Sequence, residues 1–392
     1  MSFCVYKKLY EVAKDKSRIA ESEAIFVANE CGGCYSMLFF LGRIVGRTLT
    51  EDGQMTHRVA VIGGGGWGTV LASMLAERQG AVTLWCREPE VAEAVNQRHE
   101  NTLFLPGIAL SRQVVATTDL AGAVADKSLI VMATPAQHLR GILTSVAPEI
   151  RSDVFIVIAS KGIEKDSLAL MHEVVAALLP ANAPRTFVLS GPTFARELGM
   201  KMPSAAVIAG TDEKALCAIQ ETFSLPYFRV YRSSDIIGVE VGGAIKNVIA
   251  VGVGIVEGMR LGKNSQSALM TRAIAEMTRL AVKLGANPFT VSGLSGLGDL
   301  ILTCTGDLSR NRQVGIRIGR GETLSHIMAD MKMVAEGVHT AVAAYQLAQR
   351  HGVTMPIVEV VYRILYEGLD IREAIGLLMT RSLKEEIYGY GE

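Results

Sequence analysis

The sequence predicts an α/β chain in which a doubly wound parallel sheet is followed by an all-helical C-terminal domain. Three observations carry this. Strand-like apolar runs alternate with helix-like runs from Arg58 onward, a glycine-rich turn follows the first of them, and beyond about residue 235 the pattern is helical almost throughout. With 392 residues the chain is too long for one ordinary core, and 49% apolar residues leave ample material for two.

The expected strands are Val59–Ile62, Val82–Trp85, Ser128–Ala133, Val154–Ala159, Thr186–Leu189 and Ala205–Ala209. They are near-continuous apolar runs, as expected where helices cover both faces of a parallel sheet. Helical patterns at Gly68–Arg78, Gln137–Val146, Leu168–Leu179 and Glu213–Thr222 separate them. After Arg232 the expected helices are Ile236–Met259, Ser265–Leu284, Arg312–Ile318, Thr340–Arg350 and Ile357–Tyr366, with Gly285, Gly293, Gly319, Gly337 and Gly352 at their ends. The organisation expected is an N-terminal extension (1–55), a nucleotide-binding domain (56–235) and a helical domain (236–392). The extension reads as poorly ordered or as an upstream start assignment, with a functional N-terminal module as the alternative.

Charge is balanced, 39 basic against 39 acidic residues, which argues against a general nucleic-acid binder but not against a local pocket for a small anion. Cys31 and Cys34 form a lone CxxC, a weak metal or redox signal beside the simpler reading of reduced thiols, and no metal is expected. No integral membrane span is expected. Residues 236–259 are long and apolar but carry Glu240, Lys246 and Glu257, which suits a buried core helix better. The start of the chain lacks the layout of a signal peptide.

The first strand runs into Gly63-Gly64-Gly65-Gly66-Trp67-Gly68, in which Gly63, Gly65 and Gly68 fit GxGxxG. Gly63 suits a tight turn, Gly65 a close approach of backbone to a pyrophosphate, and Gly68 close packing of helix on strand. The helix that follows offers free N–H groups to phosphates. Set between two strands, this signature makes the domain Rossmann-type and the ligand a dinucleotide; a turn kept only for packing is the alternative. The second strand ends in Cys86-Arg87-Glu88. Arg87 is the residue type that accepts the 2′-phosphate of NADP, while Glu88 keeps NAD open.

Residues after parallel strands face the ligand crevice. Lys161, in Ala159-Ser-Lys-Gly162, is placed for an anion or a hydroxyl, unless it is a surface lysine. The Ser190–Ala195 segment begins a helix as a cap, a ligand contact, or both. Lys246 has Val239, Gly242, Gly243, Ile249, Ala250 and Val253 as helical neighbours. On so apolar a face an amine loses water and is tuned toward neutral pH, as a general base requires, unless it snorkels to the surface. Asp299 could pair with a lysine or hold a hydroxyl, unless it caps a helix. Ser309-Arg310-Asn311-Arg312 puts arginines at a helix start, where the dipole disfavours them and a bound anion would repair the conflict. The seven histidines offer no Ser-His-Asp pattern.

Ile62–Thr69, Ala159–Gly162, Ser190–Ala195, Gly242–Ala250, Gly296–Leu300, Thr303–Thr305 and Leu308–Arg312 occur in one order. In this the chain resembles the bacterial NAD(P)-dependent sn-glycerol-3-phosphate dehydrogenase family, from about Met55 to the C-terminus. The resemblance implies Lys246 as proton acceptor. It implies Lys161, Gly191, Thr193, Asp299, Ser309, Arg310 and Asn311 around glycerol 3-phosphate. It implies Trp67, Arg87, Lys161, Ala195, Arg310, Val334 and Glu336 around NADP or NAD, with Gly66 in place of a serine common in that loop. It also implies a cytoplasmic enzyme that exchanges glycerol 3-phosphate with dihydroxyacetone phosphate, feeds phospholipid synthesis and leaves room for a homodimer. The rivals are a 3-hydroxy-acid dehydrogenase, which would need a carboxylate pocket in place of the 309–311 clamp, and a nucleotide sensor without catalysis.

Overall fold

The structure, a computed structural model, describes residues 47–49, 55–331, 335–383 and 385–386. Val334, Cys31, Cys34 and almost all of the expected extension lie outside these residues. The chain divides into Met1–Arg47 and Thr48–Glu392, and the elements named here belong to the second unit.

Eight strands form one sheet: β1 (Val59–Ile62), β2 (Val82–Trp85), β3 (Val114–Thr117), β4 (Leu129–Met132), β5 (Phe155–Ile158), β6 (Thr186–Ser190), β7 (Ser204–Ala209) and β8 (Phe228–Ser233). Their spatial order is β8-β7-β6-β5-β4-β1-β2-β3. The central strands β1, β4 and β5 are buried along their whole length. Each feeds two cores by alternation. Val59 and Val61 face one side with Leu71 and Leu75 of α1 (Gly66–Gln79); Ala60 and Ile62 face the other with Leu139 and Leu143. The remaining sheet-associated helices are α2 (Pro89–Arg98), α3 (Leu120–Val124), α4 (Leu139–Val146), α5 (Met171–Leu178), α6 (Ala195–Gly199) and α7 (Glu213–Phe223).

The sheet departs from the expectation in two ways. First, β7 runs antiparallel to β6, pairing Val188 with Ala209 and Ser190 with Val207. The connection between them holds only the five-residue α6, too short to carry the chain back along the sheet as a parallel crossover requires. Second, β3 and β8 are strands that the apolar runs did not mark. Both lie at sheet edges and alternate buried with exposed residues, so neither reads as a continuous run.

Ile236–Gly258 forms α8, started by Asp235, whose Oδ1 accepts from the Gly238 N–H at 2.8 Å. It is long and apolar enough to cross a bilayer, yet nearly all of it is buried against other helices. Around it stand α9 (Gly262–Lys283), α10 (Pro288–Val291), a π-helical turn at Leu294–Gly298, α11 (Asp299–Thr305), α12 (Arg310–Gly319), α13 (Leu324–Asp330), α14 (Glu336–Arg350), α15 (Pro356–Tyr366) and α16 (Ile371–Met379). Val241, Ile245, Val248 and Ile249 of α8 are the middle of this second core.

Candidate active site

The carboxyl ends of β1, β2, β4 and β5 and the N-termini of α12 and α14 open on one crevice of about 830 Å³. Of the residues expected around substrate and cofactor, Gly68, Gly191 and the undescribed Val334 do not line it, and neither does Arg312.

At the sheet end the backbone comes first. Gly63 has φ +129°, a conformation costly for any residue with a Cβ. A Cβ at Gly68 would stand 1.9 Å from the Gly63 carbonyl oxygen, so helix and strand touch. In front of Gly65 nothing lies within 4 Å, and no side chain caps α1. Free amides facing open space fit a pyrophosphate. Trp67 is pinned beside them, its Nε1 donating to the Ala159 carbonyl at 3.2 Å. Arg87 stands exposed at the end of β2, paired with Glu88 at 2.6 Å.

At the helical end Lys246 is buried, and its Nζ donates to Asp299 Oδ1 at 2.7 Å and to Thr303 Oγ1 at 2.8 Å. The other carboxylate oxygen of Asp299 accepts from Lys161 Nζ at 2.7 Å, and Lys161 also donates to the Gly191 carbonyl at 3.0 Å. One buried carboxylate thus bridges two amines from different halves of the chain. Burial lowers Lys246 to about 8, against the pull of Asp299 and with some help from the Lys161 charge. Asp299 therefore proves to be a lysine partner, and Lys161 and Lys246 are not surface lysines. An ammonium carries three N–H groups; with two committed, Lys246 keeps one for the crevice.

One reading from the sequence needs correcting. Arg312 does not wait for an anion: its guanidinium grips the Glu257 carboxylate at 2.6 and 2.9 Å and Asp307 at 3.0 Å. The conflict at the start of α12 is thus half resolved within the fold, and only Arg310 is left for a ligand. Arg310 is exposed to the crevice and donates to no acceptor among the described residues. Ser309 is the helix cap, accepting from the Arg312 N–H at 3.3 Å. Asn311 is engaged as a brace: its amide donates to Asn247 at 2.9 Å, and its oxygen accepts from the Gly337 N–H at 2.9 Å. This brace joins α8, α12 and α14. Beside it Glu336 has an oxygen shut from water without a partner, and burial pushes its carboxyl up to about 7.

Thr303 and Asn247 were given no role from the sequence. Thr303 lies one helical turn after Asp299, and that i, i+4 spacing is the signal that would have marked it. Gly191 and Thr193 are linked by a bond from Thr193 Oγ1 to the Gly191 carbonyl at 3.2 Å, and Ala195 starts α6 at the crevice wall.

A glycine turn at a parallel sheet facing a lysine–carboxylate–lysine cluster defines a class: the dinucleotide-dependent dehydrogenases. The comparisons narrow it. The N-terminal model of NAD-dependent glycerol-3-phosphate dehydrogenase matches residues 58–216, and the C-terminal model matches 235–376. A protein of Geobacter sulfurreducens named glycerol-3-phosphate dehydrogenase [NAD(P)+] is 51% identical over 333 residues, 85% of this chain and 99% of its own. One of Nitratidesulfovibrio vulgaris is 48% identical over 84% of this chain and 100% of its own. The crystal structure of glycerol-3-phosphate dehydrogenase from Coxiella burnetii superposes with a TM-score of 0.79 at 34% identity, covering 83% of this chain and 99% of that one. The chain belongs to the NAD-dependent glycerol-3-phosphate dehydrogenase family.

Proposed function

We propose that this chain interconverts sn-glycerol 3-phosphate and dihydroxyacetone phosphate with NADP or NAD, in the cytoplasm, and supplies glycerol 3-phosphate for phospholipid synthesis. The observation that carries the reading is the juxtaposition of a desolvated Lys246 with the unpaired Arg310 guanidinium on the wall of one crevice. Family membership supports the substrate.

The nicotinamide, when bound, supplies or accepts the hydride. The chain does the rest. In oxidation the neutral Lys246 amine takes the proton of the C2 hydroxyl, and in reduction the ammonium returns it. Asp299 and Thr303 hold Nζ in place throughout, and the Asp299 carboxylate balances the charge that appears on the amine. Lys161 sits beside the same oxygens and offers its charge to the substrate oxygen. Arg310 and the free N–H groups at the start of α12 hold the phosphate, which fixes C2 by positioning. Glu336 and Arg87 face the dinucleotide.

The test is the loss of NADPH or NADH absorbance on adding dihydroxyacetone phosphate. Turnover with the phosphate ester and little with unphosphorylated dihydroxyacetone is expected. If no ketone were reduced while dinucleotides still bound, the protein would be a sensor and the proposal wrong.

A further inference from the structure

Two side chains at the end of β2 carry opposite instructions about the cofactor. A carboxylate there accepts the ribose hydroxyls of NAD, and a guanidinium receives the 2′-phosphate of NADP. In this chain both are present, and they are bound to each other. Arg87 donates from Nε at 2.9 Å and from Nη2 at 2.6 Å to the same oxygen, Oε1 of Glu88. The pair is lopsided. The Arg87 side chain is 75% exposed and free to swing, whereas that of Glu88 is 21% exposed. Glu88 is also anchored by its backbone, whose carbonyl accepts from Val91 and Ala92 at the start of α2. Its second oxygen, Oε2, makes no hydrogen bond among the described residues, and both residues line the crevice.

We infer that Glu88 sets the preference between NADP and NAD by competing with the 2′-phosphate for the Arg87 guanidinium. With NAD the pair stays intact, and the idle oxygen of Glu88 remains available to a ribose hydroxyl. With NADP the guanidinium must leave Glu88, which then stays behind as a negative charge near the incoming phosphate. An exposed ion pair shifts an equilibrium by no more than about fivefold, so the competition tempers NADP binding without forbidding it.

The inference rests on the dinucleotide reading of the crevice, and the test separates the two. Both tryptophans of the chain, Trp67 and Trp85, line the crevice, so quenching of their fluorescence reads binding without turnover. Kd values for NADPH and NADH are measured at one salt concentration for the wild type, Glu88→Gln, Arg87→Gln and the double variant. Glu88→Gln is expected to tighten NADPH about three- to fivefold and to leave NADH within about twofold. Arg87→Gln is expected to weaken NADPH about tenfold and NADH by much less. In the Arg87→Gln background the gain from Glu88→Gln disappears, because nothing remains to compete for. An unchanged ratio of the two Kd values in Glu88→Gln overturns the inference, as does an equal gain in the double variant, which would indicate plain repulsion. Failure of the wild type to bind either dinucleotide would sink the cofactor reading itself.

Discussion

An amine enclosed with a carboxylate is pulled two ways, and in Lys246 burial wins: the group comes down to about 8 although Asp299 opposes the change. The consequence for rate has a definite sign. Oxidation needs the neutral amine, so kcat for glycerol 3-phosphate should rise with pH and level off above about 8. Reduction needs the ammonium, so kcat for dihydroxyacetone phosphate should fall over the same range; profiles in the two directions that ran the same way would contradict the assignment. Lys246→Ala should cost about 100- to 10,000-fold in kcat while the Kd for NADPH stays near the wild-type value. Much of this residue was legible in the sequence, because its neighbours on α8 are apolar or glycine and a helix places them around it. Its partner was not. Nothing local selects Asp299, 53 residues away, over a path to the surface.

The two helices proposed to carry the chemistry, α8 and α12, are joined by glycines. A Cβ at Gly315 of α12 would stand 2.0 Å from the Val251 carbonyl oxygen of α8, and one at Gly254 would stand 2.2 Å from that of Arg312. The backbones are therefore in contact, with Arg312 locked onto Glu257 alongside. This contact sets how far the N-terminal end of α12, proposed to hold the phosphate, lies from Lys246. Gly315→Ala should push the helices apart and destabilise the protein by about 1–3 kcal/mol in denaturant titrations. It should also raise KM for dihydroxyacetone phosphate while hardly affecting dinucleotide affinity. Gly376→Ala in α16 is the matched control. Nothing lies within 4 Å of that position, so it should stabilise by up to about 1 kcal/mol. From the sequence, Gly319 read only as helix punctuation. It does stand at the end of α12, but it also meets the Ile255 carbonyl oxygen across the helix pair, and a one-dimensional pattern does not distinguish the two uses.

At the scale of the whole molecule, a buried carboxylate ties the helix that carries Lys246 to α5, one of the helices that cover the sheet. Glu240 of α8 accepts from the His172 backbone N–H at 2.9 Å at the start of α5 and holds the His172 ring with its other oxygen. It serves both as a cap for α5 and as a joint between α8 and α5. Removing it strands a helix-end donor and a ring nitrogen, so Glu240→Ala should lower stability by about 3 kcal/mol, read as a drop in Tm of several degrees. An unchanged Tm would mean that the joint contributes nothing.

By itself the sequence determined whatever depends on near neighbours. Apolar periodicity revealed the central strands and the long helices, the glycine spacing revealed the turn beneath the dinucleotide, and strand ends pointed to Lys161. Only the tertiary structure decided the rest: the reversal of β7, the commitment of Arg312 to Glu257, the pairing of Arg87 with Glu88, and the joining of Lys161 to Asp299 across 138 residues. The reason is physical. Periodicity records which face of an element avoids water, but not which other element covers that face. A charged side chain finds its partner only after the packing of those faces has brought distant segments together.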